Sequence, residues 1–377
     1  MNNKVIAGIS AGIAIAIVMS ILVITSEPEQ NVVVPQTLPK NEKLGLVINT
    51  PTNEITLQEL EKIYDEAASS GIGRSNVYLF WNLVEPEKDE YNFSDTDVLM
   101  TFNRKNNLQV TLYFSIINGK TLGPFPNWIG NPPIQNIPAD RLINILDVIL
   151  TRYNIVDTVI IGADVNAYFR YNENKIPIYK ELFNKVYDEI KEKHPDVKIA
   201  NSFSLHDVIN KNLEHIVSEL NIGDFVAFTY FPVDTLYEIS KNPHDEARAD
   251  LEKMFELVPD KNIALFEISW STSNFVGGSK EAQVDFVLQA FDFYSEYEPK
   301  IEFFTWYRQY DKPEGTCIVG SARIEGQVSI GGGSGLGSSE FVIERLSNYI
   351  CSAGLIDSDG NKKPAWVEFE KVIRQNQ

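Results

Sequence analysis

Cationic side chains are scarce in this 377-residue chain. Lys and Arg number 33 against 52 Asp and Glu, a net charge of −19 at pH 7. So acidic a chain repels phosphate backbones, which argues against nucleic acid as a partner. Cysteine and histidine are scarcer still. Two cysteines alone build neither a zinc ribbon nor an iron–sulfur cluster, and His194, His206, His215 and His244 show no H-E-x-x-H spacing. No metal or other cofactor is expected. Glycine-rich phosphate turns are also missing. Asn49-Thr50-Pro51-Thr52-Asn53 follows the first apolar run, and GGGSGLGSSE (331–340) lacks the G-x-x-x-x-G-K-[ST] pattern. The second stretch reads as a loop.

Charge vanishes altogether from residues 5–25, VIAGISAGIAIAIVMSILVIT. That run is long enough to cross a hydrocarbon core of about 30 Å as a helix. Lys4 before it and Glu27 and Glu29 after it keep the N-terminus inside and the rest of the chain outside. A cleaved signal peptide is the competing reading, but the apolar core is long and Ile24-Thr25-Ser26 is a poor cleavage site. The expectation is a single-pass anchor over residues 1–25, a proline-bearing extended linker over 26–43, and one domain over 44–377. On the outer side Cys317 and Cys351 could pair, or remain two free thiols.

From Leu44 onward, short apolar runs alternate with helical stretches. The runs lie near 44–49, 75–81, 109–115, 156–162, 197–203, 224–230, 262–268 and 301–307. Their near-continuous apolar character suits strands covered on both faces. Between them, residues 57–70, 138–153, 176–193 and 279–296 show a 3.6-residue period. Eight such units predict an α/β fold, a closed (β/α)8 TIM barrel, with a doubly wound open sheet as the alternative.

In such a barrel, reactive groups sit at the C-terminal ends of the strands. Two carboxylates stand there, Asp164 after the fourth run and Glu267 inside the seventh. A carboxylate that interrupts an apolar run costs free energy unless something pairs with it. Two opposed carboxylates suit cleavage of a glycosidic bond, one as proton donor and one as nucleophile or base. Tyr230 is placed to hydrogen-bond Glu267. Trp81, Trp128, Trp270 and Trp306 offer flat faces for sugar rings, and Asn82, Asn166 and His206 are further polar groups at strand ends. The bland alternatives are loop bonding for Asp164, an ion pair with Arg74 for Glu267 and core packing for the tryptophans.

The stretch Val77-Tyr78-Leu79-Phe80-Trp81-Asn82-Leu83-Val84-Glu85-Pro86, with Tyr91-Asn92-Phe93 and Asp97, is similar to one recurring in the clan A (β/α)8 glycoside hydrolases. That group includes cellulases, mannanases, endo-galactanases and β-galactosidases. Phe266-Glu267-Ile268-Ser269-Trp270 resembles its nucleophile segment, and the resemblance spans roughly residues 44–375. It implies a nucleophile at Glu267, support from Tyr230 and Trp306, and a loop-fixing role for Glu85. Residues 353–366 resemble a structural lead-in to the last helix. At the fourth strand the chain departs from the family's Asn-Glu, carrying Ala163-Asp164. An acid/base at Asp164 is one methylene short, about 1.5 Å of reach, and Ala163 cannot bond a sugar 2-hydroxyl. The expected function is cleavage of O-glycosidic bonds in a poly- or oligosaccharide at the cell surface. The alternative is a barrel of the cell envelope that binds carbohydrate without efficient cleavage.

Overall fold

The computed structural model describes residues 40–52, 54–313, 316–317 and 340–376. The proposed membrane span, most of the linker and the 331–339 glycine stretch lie outside the described residues. No helix among the described residues is long and apolar enough to cross a membrane.

Eight parallel strands close on themselves: β1 (Asn41–Leu46), β2 (Ile72–Tyr78), β3 (Gln109–Asn118), β4 (Val156–Ala163), β5 (Lys198–Ser204), β6 (Val226–Tyr230), β7 (Ile263–Ile268) and β8 (Ile301–Trp306). β1 pairs with both β2 and β8, so the sheet has no open ends and the doubly wound alternative falls. β1 and β2 begin three residues before the expected apolar runs. Their starts are polar: Lys43 pairs with Glu298, and the buried Arg74 guanidinium pairs with Asp157. Arg74 therefore belongs to the barrel floor and does not reach Glu267.

The outer layer follows the helical period. In the helix Leu57–Ser69, Thr56 and Glu59 form a reciprocal cap and the chain then turns at Gly71, φ 100°. Helices Ala139–Arg152, Ile176–Lys193 and Lys280–Tyr297 bury their apolar stripes against the strands. After β8 the chain returns through the helices Glu340–Cys351 and Pro364–Gln375. The segment between them is fastened to the rim by Lys363, whose ammonium is 2.7 Å from Asp311 and 2.9 Å from the Thr272 hydroxyl. Cys317 and Cys351 form a disulfide with Cα atoms 5.6 Å apart.

Side chains alternate between the helix layer and the barrel interior. The interior holds Ile160, Ala200, Ala227 and Ala264 with Phe225, Phe266 and Phe303, and is capped by Tyr78 and Tyr113. Small residues at the centre leave room for the rings above and below.

Candidate active site

Glu267 reaches the interior because β7 is bulged. Phe228 pairs with Leu265, but the next residue, Thr229, pairs with Glu267. The extra residue puts Phe266 and Glu267 both on the inner side, where strict alternation would send one outward. Asn76 stabilises the bulge from across the barrel, donating its side-chain amide to the Phe266 carbonyl at 3.0 Å. The Tyr78 hydroxyl donates to Glu267, and the Tyr113 ring stacks on Phe266 at 6.2 Å between centroids.

Asp164 follows β4 with φ 48° and ψ 43°, a left-handed conformation that Asp tolerates better than most residues. Its amide donates to the Ser202 hydroxyl at 3.1 Å, and one carboxylate oxygen is buried without a hydrogen-bond partner. The neighbouring Ala163 amide donates to the Ser115 hydroxyl at 2.9 Å. Backbone bonds to β3 and β5 thus hold this corner, while the carboxyl points elsewhere.

The two acids sense one another. Burial pushes the Glu267 carboxyl up to about 8, the Asp164 charge adds to the shift, and the Tyr78 bond and Arg308 oppose it. Burial also pushes Asp164 up to about 6, Asp207 adding and the Thr229 hydroxyl opposing. Burial thus raises the proton affinity of both acids, that of Glu267 further than that of Asp164. Arg308 is 2% exposed, donates to the Tyr307 hydroxyl at 2.7 Å, and has Nε and Nη1 without partners.

The other expected site residues are placed differently. Tyr230 points outward and donates to Asp250 on the helix Asp245–Leu257, at 2.8 Å; it does not bond Glu267, and Tyr78 holds that position. Trp306 and Trp270 pack on Phe286 at 5.9 and 5.2 Å, in the helix layer. Tyr307, one residue beyond Trp306, is the ring that belongs to the mouth, beside Phe231 at 5.5 Å. Trp81 is buried, its indole donating to Glu85 at 2.8 Å. Trp128 lies under the Arg141 guanidinium at 5.0 Å. None of these four indoles forms a platform beside the carboxylates. For Trp306, the last residue of β8, strand period explains this, since a one-residue slip carries a side chain to the opposite face.

Asn166 is fully buried and clamps Ser204, accepting from its amide at 2.9 Å. His206 is buried between Phe231 and Tyr237, and burial drives its pKa down to about 4, so it is a neutral wall. Asn82, in the short helix Trp81–Val84, keeps a buried amide oxygen without a partner. Glu85 is wholly buried and fixes its loop through Trp81, the Asp89 amide and Arg141.

Tyr78, Tyr113, Asn76, Thr229 and Tyr307 were missed by sequence reasoning. A signal existed for two of them. The inner positions of β2 read Arg74, Asn76 and Tyr78, a polar set at period two.

Eight parallel strands closed on themselves, with Asp164 after β4 and Glu267 in β7 near enough to interact, define the fold class as a (β/α)8 barrel. Comparison with solved structures narrows it. A GH5_18 glycoside hydrolase (carrying a substitution) from Bifidobacterium longum subsp. longum, in complex with Manβ1-4GlcNAc, matches with 12% identity. The match covers 88% of this chain and 78% of that one, with a TM-score of 0.63. An exo-β-1,4-mannosidase from Opitutaceae bacterium strain TAV5 matches with 14% identity over 90% and 59%, TM-score 0.61. Xylanase 10B from Thermotoga maritima matches with 16% identity over 88% and 95%, TM-score 0.54. The chain thus has the fold of the clan A (β/α)8 glycoside hydrolases that its sequence resembles. No family model and no curated protein sequence matches it.

Proposed function

We propose that the barrel mouth binds a poly- or oligosaccharide and that Asp164 and Glu267 cleave an O-glycosidic bond in it. The carrying observation is the pair itself. Two carboxyl groups, delivered by a bulge on β7 and a left-handed turn after β4, share one enclosed site with their proton affinities pushed apart. One acid that holds its proton and one that releases it are what the reaction needs. The family resemblance makes Glu267 the nucleophile and Asp164 the acid/base. Burial and the Asp164 charge, however, favour the proton on Glu267 before a sugar binds. Binding of the sugar must then shift the proton to Asp164, and Arg308 favours that shift by stabilising an ionised Glu267.

The test is a hydrolysis screen of the purified protein on aryl glycosides and polysaccharides, with Glu267→Gln and Asp164→Asn as controls. Turnover lost in both variants supports the pair. Azide restoring turnover to Asp164→Ala assigns the acid/base there, and the anomeric configuration of the product separates retention from inversion.

A binding-only reading stands on Ala163 and the short side chain of Asp164. It predicts glycan binding without turnover, unchanged in Glu267→Gln.

We further propose that the barrel lies outside a membrane, anchored through residues 5–25. The uncharged run and the Cys317–Cys351 bond support this, since such bonds persist in oxidising surroundings. Protease shaving of intact cells would remove the barrel if so, and would leave it intact if it faces inward.

A further inference from the structure

Beside Asp164 the rim of this acidic chain turns basic. Gly119 donates its amide to the Ala163 carbonyl at 3.0 Å, which ties the loop after β3 to the residue before Asp164. That bond sets Lys120 at the rim. On the other side, the short helix Val165–Phe169 leads from Asp164 into Arg170 and Tyr171. Tyr171 is 62% exposed, an unusual place for a large ring. The Lys120 ammonium lies 5.5 Å from its ring centroid, and the Arg170 guanidinium lies 5.2 Å from it. Lys211 completes the group and pairs with Asp207.

Two features separate this cluster from an ordinary solvated face. Among the described residues, neither Lys120 nor Arg170 forms an ion pair with an acid. Lys105, Arg152, Lys193 and Arg248, by contrast, each sit beside a carboxylate. The cations also crowd one another: Lys120 is held below the usual lysine range by burial and by the charges of Lys211 and Arg170, with Asp207 opposing. In a chain of net charge −19, cations gathered around an exposed ring call for an anion with an apolar face.

We propose that Lys120, Arg170 and Tyr171 form a subsite for an acidic sugar, so that the substrate is an anionic glycan such as a polyuronate. The inference rests on the carbohydrate reading of the mouth and deepens it. The ring supplies a platform for one pyranose, and the two cations bind its carboxylate. The subsite adjoins Asp164, on the side from which a proton reaches the leaving group if the family assignment holds.

The experiment measures binding of the full chain to polygalacturonate, a neutral mannan, polyglutamate, and vesicles of phosphatidylglycerol with phosphatidylcholine. It is repeated with the double variant Lys120→Gln/Arg170→Gln and with Tyr171→Ala. All three residues are on the rim, so the fold should persist, read as an unchanged Tm. Polygalacturonate should bind tighter than mannan, and the double variant should lose about tenfold or more, with a loss that shrinks at high salt. Tyr171→Ala should weaken polygalacturonate and leave polyglutamate unchanged, which separates sugar recognition from attraction of any polyanion. The proposal is overturned if mannan binds as well as polygalacturonate, if the double variant binds it unchanged, or if only the vesicles depend on these residues. The broader carbohydrate reading fails separately, if no glycan of either charge is bound or cleaved.

Discussion

Glu267 and its immediate partners set the electrostatics of the candidate site. The Tyr78 hydroxyl bond and Arg308 both lower the proton affinity of Glu267, against burial and the Asp164 charge that raise it. Tyr78→Phe should therefore move the Glu267 titration upward, shifting the matching limb of the pH–rate profile to higher pH with little change in fold. Arg308→Gln should act in the same direction. An unchanged or acid-shifted limb would show that these groups do not set the state of Glu267. The aromatic environment was misread at this scale. Sequence offers four tryptophans as sugar platforms, because indoles suit that role. Yet Trp270 and Trp306 stand one position out of phase with the interior of their strands, and the tyrosines of β2 and β3 occupy the mouth instead. Chemical type was visible; orientation was not.

Between strands, the bulge at Phe266 is the device that makes the site. Its freed carbonyl accepts from Asn76. Asn76→Ala removes that donor in a dry interior, and should cost about 1–3 kcal/mol of stability, read as a fall in Tm. Turnover should fall further than stability alone explains, because the bulge sets the direction of Glu267. A variant with lowered Tm and full activity would show that the bulge holds without Asn76. Asn166 plays a comparable part at the β4–β5 corner, clamping Ser204. Helices were readable at this scale from their period, as Ala139–Arg152 and Ile176–Lys193 illustrate. Strand starts were less so, because Asn41, Glu42 and Lys43 open β1 and Arg74 interrupts the start of β2.

Across the whole molecule, the burial of two acids costs stability as pH rises. Both have folded pKa values above their ordinary ones, about 8 for Glu267 and about 6 for Asp164. The unfolded chain releases these protons near pH 4, while the folded chain keeps them longer. Their contribution is thus complete at low pH and is lost as pH rises through about 4 to 8. Tm should decline between about pH 5 and pH 8.5, and Glu267→Gln should flatten that decline; a parallel decline in both proteins would contradict the burial of Glu267. Reduction of the Cys317–Cys351 bond, which closes a loop of 34 residues in sequence separation, should remove about 3–4 kcal/mol in the chain-entropy picture. Thermal unfolding with and without reductant checks this, using Cys351→Ser to separate the bond from side effects of the reagent.

The sequence by itself determined the eightfold alternation of strand and helix, because hydrophobic period and element length are local and repeat eight times between Asn41 and Trp306, while closure rests on the pairing of β1 with β8. It also singled out Asp164 and Glu267, because a carboxylate at the end of an apolar strand is anomalous wherever it occurs. Tertiary structure alone decided what surrounds them. A bulge in β7, a left-handed residue after β4 and the phase of each strand choose which neighbours face inward. The same phase sets Tyr78 rather than Tyr230 against Glu267. Side-chain type is a property of one residue, whereas direction depends on hydrogen-bond register between strands far apart in the chain.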